Sequence, residues 1–293
     1  MKGKIFLAEK RGFCSGVERA VKMVSNAVKN GPFPVRVLHE IVHNESVVNE
    51  FSACGVEFFE EPDPSWKDGV LILSAHGVGE ALENAVRQMP VTVIDATCPL
   101  VKRLHASAAE LEAEGYSLLM AGKRSHRETE GVVGRVQNAP VVLENISEAE
   151  AFVPESGRRY AVISQTTLST DEYGAILDRL RKKIPGLYVS GGICQATTSR
   201  QAAVKKLAEK CSRIVVIGSE KSSNSKRLRE VAESAGAEAV LIPDAEALPE
   251  SFFEIPGDVG ITSGASAPEY LVDSLIRKLQ NSGWELVDQS LPR

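Results

Sequence analysis

Five cysteines stand at positions 14, 54, 98, 194 and 211, and three of them share one setting. Cys14 lies in "KIFLAEKRGFCSGVERAVKMV", Cys98 in "VTVIDATCPLVKRLHASAAEL" and Cys194 in "GLYVSGGICQATTSRQAAVKKLAE". In each, an extended run leads to the thiol and a helical pattern begins just after it. Cys98 follows Cys14 by 84 residues and Cys194 follows Cys98 by 96. Three thiolates brought to one point invite a metal. Zinc would want a fourth protein ligand in a structural site or a water in a catalytic one. An iron–sulfur cubane also accepts thiolates, and three cysteines would leave one of its irons open. Ligands this far apart suit a large object at a domain junction better than a zinc clip. The odd count, the wide spacing and the lack of any C-x-x-C pair argue against a disulfide framework, a zinc ribbon or a thioredoxin-type motif.

Other polar residues recur at similar distances from these cysteines. His43, His126 and Asn224 stand 29, 28 and 30 residues after the cysteine of their own repeat, and His76, Thr166 and Ser266 stand 62, 68 and 72 residues after it. With Ser222 and Ser223 they form a donor-rich set carrying little fixed negative charge. Several fall at predicted helix starts. Helix amino ends with hydroxyl, amide and imidazole donors make an anion site, for phosphate above all. Glu128, two residues beyond His126, is the acid of that loop, and Thr166 is a candidate to orient it or relay a proton.

The elements that must position these residues also repeat. Val17, Val21, Val24 and Val28 predict one apolar face of a helix, as do Val101, Leu104, Ala108 and Leu111. Pro99 is suited to a first helical position. A second strand–polar loop–helix unit follows each cysteine ("VRVLHEIVHNESVVNEF", "SLLMAGKRSHRETEGVVGRV", "RIVVIGSEKSSNSKRLREVA"). A third follows that ("GVLILSAHGVGEALENAV", "RYAVISQTTLSTDEYGAIL", "DVGITSGASAPEYLVDSL"). Alternating strands and helices predict parallel sheets with helical crossovers, with ligands gathered at the carboxyl ends of the strands. The division expected is an N-terminal strand (1–13), three α/β domains (14–97, 98–193 and 194–281) and a C-terminal strand or tail (282–293).

Composition narrows the function. The chain has 293 residues and a net charge of −5, which argues against a nucleic-acid binder held by overall charge. The first ten residues lack the shape of a signal peptide, and no apolar run is long enough to span a bilayer, so the cytoplasm is the expected location. "AGKR" has the wrong spacing for a Walker A loop, and no G-x-G-x-x-G follows a strand. Cys54 on the stripe Val47, Phe51, Cys54 and Cys211 on the stripe Val204, Ala208, Cys211 are expected to be core residues. Gly55 is expected to stop the helix before it. His39 and His105 do not fit the repeat and are expected to be structural.

Nine motifs, in order from residue 11 to 268, carry a resemblance: "RGFCSGVERAV", "HEIVHNESVV", "SAHGV", "DATCPLV", "SHRETEG", "SQTTLS", "ICQATTSRQ", "GSEKSSNSKRL" and "TSGASAP". Together they resemble the LytB/IspH family, the 4-hydroxy-3-methylbut-2-enyl diphosphate reductases of the non-mevalonate isoprenoid pathway. The resemblance implies a trefoil of three similar α/β domains, each with a small parallel sheet flanked by helices, around a central [4Fe–4S] cluster. It implies Cys14, Cys98 and Cys194 as cluster ligands, with the open iron taking the substrate hydroxyl. His43, His76, His126, Ser222, Ser223, Asn224 and Ser266 would hold the diphosphate. Glu128 would deliver protons, with Thr166 beside it. The implied reaction is a two-electron reductive dehydroxylation giving isopentenyl and dimethylallyl diphosphate. Its electrons would come from a donor such as ferredoxin or flavodoxin, with no nucleic-acid or membrane partner. The family usually has Gly-His-Pro where this chain has Ser125-His126-Arg127, so Arg127 adds a positive charge beside the implied anion site. Without the resemblance, a zinc-dependent phosphate-ester enzyme with a three-cysteine, water-bearing metal remains the alternative.

Overall fold

The protein is described by a computed structural model covering residues 2–287; the part of the expected C-terminal tail from 288 onward lies outside the described residues. Two compact units are distinguished. One comprises Gly16–Val42 and Phe51–Cys194; the other comprises the chain up to Ser15, His43–Glu50 and the chain from Gln195 onward.

The first unit holds two four-stranded parallel sheets on one plan. Strands β2 (Val35–Leu38), β3 (Val56–Phe59), β4 (Val70–Leu73) and β5 (Thr92–Asp95) lie in the order β3-β2-β4-β5. Strands β6 (Ser117–Ala121), β7 (Val141–Leu143), β8 (Tyr160–Ser164) and β9 (Tyr188–Val189) lie in the order β7-β6-β8-β9. Sheets covered on both faces demand continuously apolar central strands, and "VLIL" in β4 and "YAVIS" in β8 are buried at every position. The helices that follow these strands are α3 (Glu80–Arg87), α4 (Pro99–Ala113), α5 (Arg127–Val133), α6 (Ile146–Ala151) and α7 (Thr170–Lys183). Ser169 caps α7 by accepting from the Glu172 N–H, and Asn145 caps α6 by accepting from the Glu148 N–H.

The second unit holds one five-stranded parallel sheet in the order β11-β10-β12-β1-β13. Its strands are β1 (Gly3–Leu7), β10 (Arg213–Ile217), β11 (Glu238–Ile242), β12 (Val259–Ser263) and β13 (Trp284–Leu286). Helices α8 (Gln195–Ala208), α9 (Ser223–Ser234) and α10 (Glu269–Asn281) belong to it. Ile5, Val215, Ile261, Leu275 and Trp284 share one core cluster, and Val204, Leu207, Ile214 and Leu228 share another. The N-terminal strand β1 pairs with β12, Ile5 opposite Val259, and so occupies the place that β5 and β9 fill in the other sheets. In all three sheets that place belongs to the strand leading to one of the three cysteines. The remaining helices, α1 (Ser15–Asn30) and α2 (Glu45–Ala53), begin beside the unit boundaries.

Two expectations need correction. The buried line of α1 is Ala20, Val24 and Ala27, while Val17, Val21 and Val28 are only half-buried. The helix turns its small side chains inward, and Arg19 on the adjacent face donates to the carbonyls of Ala96 and Thr97. Cys54 is exposed. The helix ends at Ala53 and turns at Gly55 (φ +85°), as expected, but Ser52, Ala53 and Cys54 are all exposed, so this end of the stripe meets no core. Cys211 is buried as expected, but beyond the end of α8, with its N–H on the Leu207 carbonyl. Val204 and Cys211 share one core cluster with Ala208 packed against it, as the stripe predicts. Among the described residues no helix is long and apolar enough to cross a membrane.

Candidate active site

Each of the three cysteines immediately precedes a helix, and each backbone N–H is anchored alike. Cys98 N–H donates to the Ala75 carbonyl at 3.0 Å, Cys194 N–H to the Thr166 carbonyl at 3.1 Å, and Cys14 N–H to the Ala265 carbonyl at 3.1 Å. Strand register makes the three acceptors equivalent. Leu73 pairs with Leu38, Ser164 with Ala121 and Ser263 with Ile217, and each acceptor lies two residues beyond that strand end. All three cysteines are half-buried. Cys98 is the N-cap residue of α4 with Pro99 at the first helical position, and its thiol makes no capping bond. Among the described residues no three His, Cys, Asp or Glu side chains are grouped to close on a single metal ion.

The first unit contains Cys98, Cys194, His76, His126, Glu128 and Thr166. Glu128 lies in the first turn of α5 and is 5% exposed. Thr166, in the loop after β8, grips both of its carboxyl oxygens. The hydroxyl donates to Oε1 at 2.8 Å and the backbone N–H donates to Oε2 at 2.9 Å. Two donors on two oxygens fix both the position and the plane of the carboxyl group. Thr166 is also the residue whose carbonyl receives the Cys194 N–H. His126 is the N-cap of α5, and its Nδ1 accepts from the Glu128 N–H at 3.2 Å. With Nδ1 accepting, the ring proton lies on Nε2. The His76 and His126 rings stand 6.3 Å apart at an interplanar angle of 86°. Arg127 is paired with Glu60 at 2.5 Å and with Glu130 at 3.0 Å, so its charge is matched by two carboxylates.

Two residues that the sequence reading passed over belong to the same loops. Gln165 is fully buried; its Oε1 accepts from the Lys123 N–H at 3.0 Å, and its Nε2 donates to the Thr167 hydroxyl at 2.7 Å. Its amide ties the loop leading to His126 to the loop carrying Thr166. Counted from the strand ends, Thr167, not Thr166, occupies the place of His76 and Ser266, three residues on. The unbroken polar run "SQTT" was the available signal.

The second unit contains Cys14, His43, Ser222, Ser223, Asn224 and Ser266. Ser222 caps α9 by accepting from the Ser225 N–H at 3.2 Å, which leaves its own hydroxyl proton to donate elsewhere. It lies five residues past its strand end, as His43 and His126 do past theirs, so Ser222 holds the place that counting from the cysteine assigns to Asn224. Asn224 is buried and braced. Its Oδ1 accepts from the Ala265 N–H at 2.9 Å and its Nδ2 reaches the Thr197 hydroxyl at 3.4 Å. Ser223 opens the helix half-buried, and the Ser266 hydroxyl donates to the His43 carbonyl at 3.0 Å. The turn before Cys14 is held by Gly12 N–H on Ser263 Oγ at 2.7 Å and by the buried Arg200 guanidinium on the Gly12 carbonyl at 2.6 Å. Gly218 and Gly264 are required by close approach: a Cβ would stand 2.2 and 2.1 Å from Ser225 Oγ.

The sequence model of the LytB protein family matches residues 5–280. A protein from a Polaromonas species is 42% identical over 282 residues, covering 96% of this chain and 85% of its own. One from Neisseria gonorrhoeae is 40% identical over 291 residues, covering 98% and 90%. Both carry the name 4-hydroxy-3-methylbut-2-enyl diphosphate reductase. The Plasmodium falciparum E-1-hydroxy-2-methyl-but-2-enyl-4-diphosphate reductase superposes with a TM-score of 0.92 at 30% identity, covering 99% of this chain and 93% of its own. A second reductase structure, described as the terminal enzyme of the non-mevalonate pathway, gives 0.67 at 31% identity, covering 95% and 99%. Fold, motif order and near-full-length identity agree, and the chain belongs to the LytB family.

Proposed function

We propose that this chain reduces (E)-4-hydroxy-3-methylbut-2-enyl diphosphate to isopentenyl and dimethylallyl diphosphate. Two electrons and two protons enter, the allylic C–O bond breaks, the oxygen leaves as water, and the second proton forms a C–H bond at one end of the allyl group. Cys14, Cys98 and Cys194 are the residues that would hold a [4Fe–4S] cluster. Their fit rests on three half-buried thiols at helix amino ends, each anchored through its own N–H to an equivalent loop carbonyl. When bound, such a cluster supplies electrons one at a time and a Lewis-acidic open iron.

The rest of the chemistry is assigned to this chain's side chains. The Nε2–H of His126 with His76, His43 and the Ser222 and Ser223 hydroxyls would bind the diphosphate, and Ser266 would join them by turning its hydroxyl from the His43 carbonyl to the ligand. Asn224, held by Ala265 and Thr197, would position the helix turn that carries the serines. Glu128 would hold and release the proton, with Thr166 fixing its carboxyl group. Fixing the diphosphate holds the allylic end in one place relative to the acid, which removes most of the orientational barrier. The thiolate set calls for a reducing compartment, consistent with the cytoplasm, and for a small one-electron donor such as ferredoxin or flavodoxin.

The observation that carries this reading is Thr166, which grips both oxygens of Glu128 while its carbonyl anchors Cys194. The test is anaerobic purification and reconstitution, iron analysis, and assay of the wild type and Glu128→Gln with the hydroxylated diphosphate and a chemical reductant. A brown, active wild type and an inactive, iron-loaded Glu128→Gln are expected. A colourless protein with stoichiometric zinc would replace the reading with the three-cysteine hydrolase. Normal turnover by Glu128→Gln would remove the acid from the mechanism.

A further inference from the structure

His105 lies outside the repeated motifs, yet three functional segments of the first unit close on it. It sits in α4 seven residues after Cys98, two turns on along the same helix face. Its imidazole is 6% exposed and faces two glycines. A Cβ at Gly77, the residue after His76, would stand 2.9 Å from His105 Cε1 and 2.9 Å from Thr97 Cγ2. A Cβ at Gly131, one helical turn after Glu128, would stand 2.8 Å from His105 Nε2. The Cε1–Nε2 edge of the ring therefore meets both the backbone of the His76 loop and that of α5. Gly77 has φ +72°, so a side chain there would be strained as well as crowded by the ring. Further along, the same loop and helix are joined by Glu80 N–H on the Gly134 carbonyl at 2.9 Å and by Arg135 on the Val78 carbonyl at 2.9 Å.

Simple core filling does not account for the residue type. Nε2 is buried without a hydrogen-bond partner, and an imidazole in that state is less stable than an apolar ring of the same shape. Burial also holds the ring neutral, with its pKa lowered to about 4. What the imidazole supplies is a flat, rigid ring whose Cε1–Nε2 edge both backbones approach too closely for a side chain to intervene.

We propose that His105 is a positioning residue that holds the His76 loop and the Glu128 helix at a fixed separation, both referenced to the helix headed by Cys98. The inference rests on the reductase reading for the roles of His76 and Glu128. If the gap changes, the His76–His126 pair and the carboxyl group of Glu128 lose register, while Cys98 and its anchor on Ala75 stay in place. Diphosphate affinity and turnover then fall, and cluster loading does not.

The test uses the full chain with His105→Ala, Gly131→Ala and the double variant. Inorganic pyrophosphate binding to the apoprotein is measured by titration calorimetry. Iron per chain, kcat, KM and the thermal midpoint are measured on reconstituted protein. Each single variant is expected to weaken pyrophosphate binding about tenfold and to lower kcat roughly 10- to 100-fold, with iron per chain unchanged. The double variant is expected to bind better than Gly131→Ala alone, because the space left at 105 receives the added methyl group. Folded single variants with wild-type pyrophosphate affinity and kcat and only a lower midpoint would overturn the inference, as would losses that follow lost iron. A wild type that neither binds pyrophosphate nor turns over would bring down the reductase reading and this inference together. Normal wild-type behaviour matched by the variants would sink the inference alone.

Discussion

Thr166→Val removes one hydroxyl and keeps the shape of the side chain. The hydroxyl donates to Glu128 Oε1 at 2.8 Å, and the backbone N–H on Oε2 at 2.9 Å survives the substitution. The carboxyl group is 5% exposed, so water is poorly placed to replace the lost donor. A buried hydrogen bond to a carboxylate contributes about 1.5–3 kcal/mol, and leaving the acceptor unmet costs a similar amount. If that loss falls on the transition state, it corresponds to roughly a 10- to 100-fold fall in kcat. Because the diphosphate contacts are elsewhere, KM should change less than about threefold. Thr166→Ser restores the donor and should recover most of the rate. The assay is anaerobic steady-state turnover with a chemical reductant, normalised to iron per chain, with thermal melting as a control for folding. Wild-type kcat in an iron-loaded Thr166→Val enzyme would refute the orienting role. A fall in rate that merely tracks lost iron would show that Thr166 acts through its anchor on Cys194 instead.

Three other outcomes are expected. Serine at Cys14, Cys98 or Cys194 should strip iron from the reconstituted protein, whereas Cys54→Ser, at an exposed position, should leave iron, activity and stability within about 0.5 kcal/mol of wild type. His105 is held neutral by burial, its pKa lowered from 6.5 to about 4, so the unfolded chain binds the extra proton between those values and stability falls as pH drops through that window. The whole effect is on the order of 3 kcal/mol, and a His105→Phe variant should show a correspondingly flatter loss of stability from about pH 6.5 to 4 in denaturant titrations. Gly264→Ala drives a methyl group to 2.1 Å from Ser225 Oγ and should destabilise by more than about 2 kcal/mol; Ser225→Ala, which removes that oxygen, should restore part of it in chemical denaturation.

The sequence by itself determined the alternation of strands and helices, because apolar runs such as "VLIL" and "YAVIS" and the line Val101, Leu104, Ala108, Leu111 are local signals. It also determined which three cysteines are equivalent, since that follows from order and spacing. It places the end of α2 before Gly55 but not what the last turn packs against, so Cys54 is exposed where a core residue is expected. Counting from each cysteine paired Asn224 with His43 and His126, and Thr166 with His76. Register shows Ser222 and Thr167 in those places, because the loops around the cysteines differ in length. Only the tertiary structure sets β1 inside the sheet, between β12 and β13 and more than 200 positions away in the chain, since pairing of Ile5 with Val259 and Leu286 leaves no trace in local periodicity. It alone brings Thr166 onto Glu128 and sets the ring of His105, expected only to be structural, against Gly77 and Gly131. Periodicity reports which face of an element is buried; only the packed chain reports what that face meets.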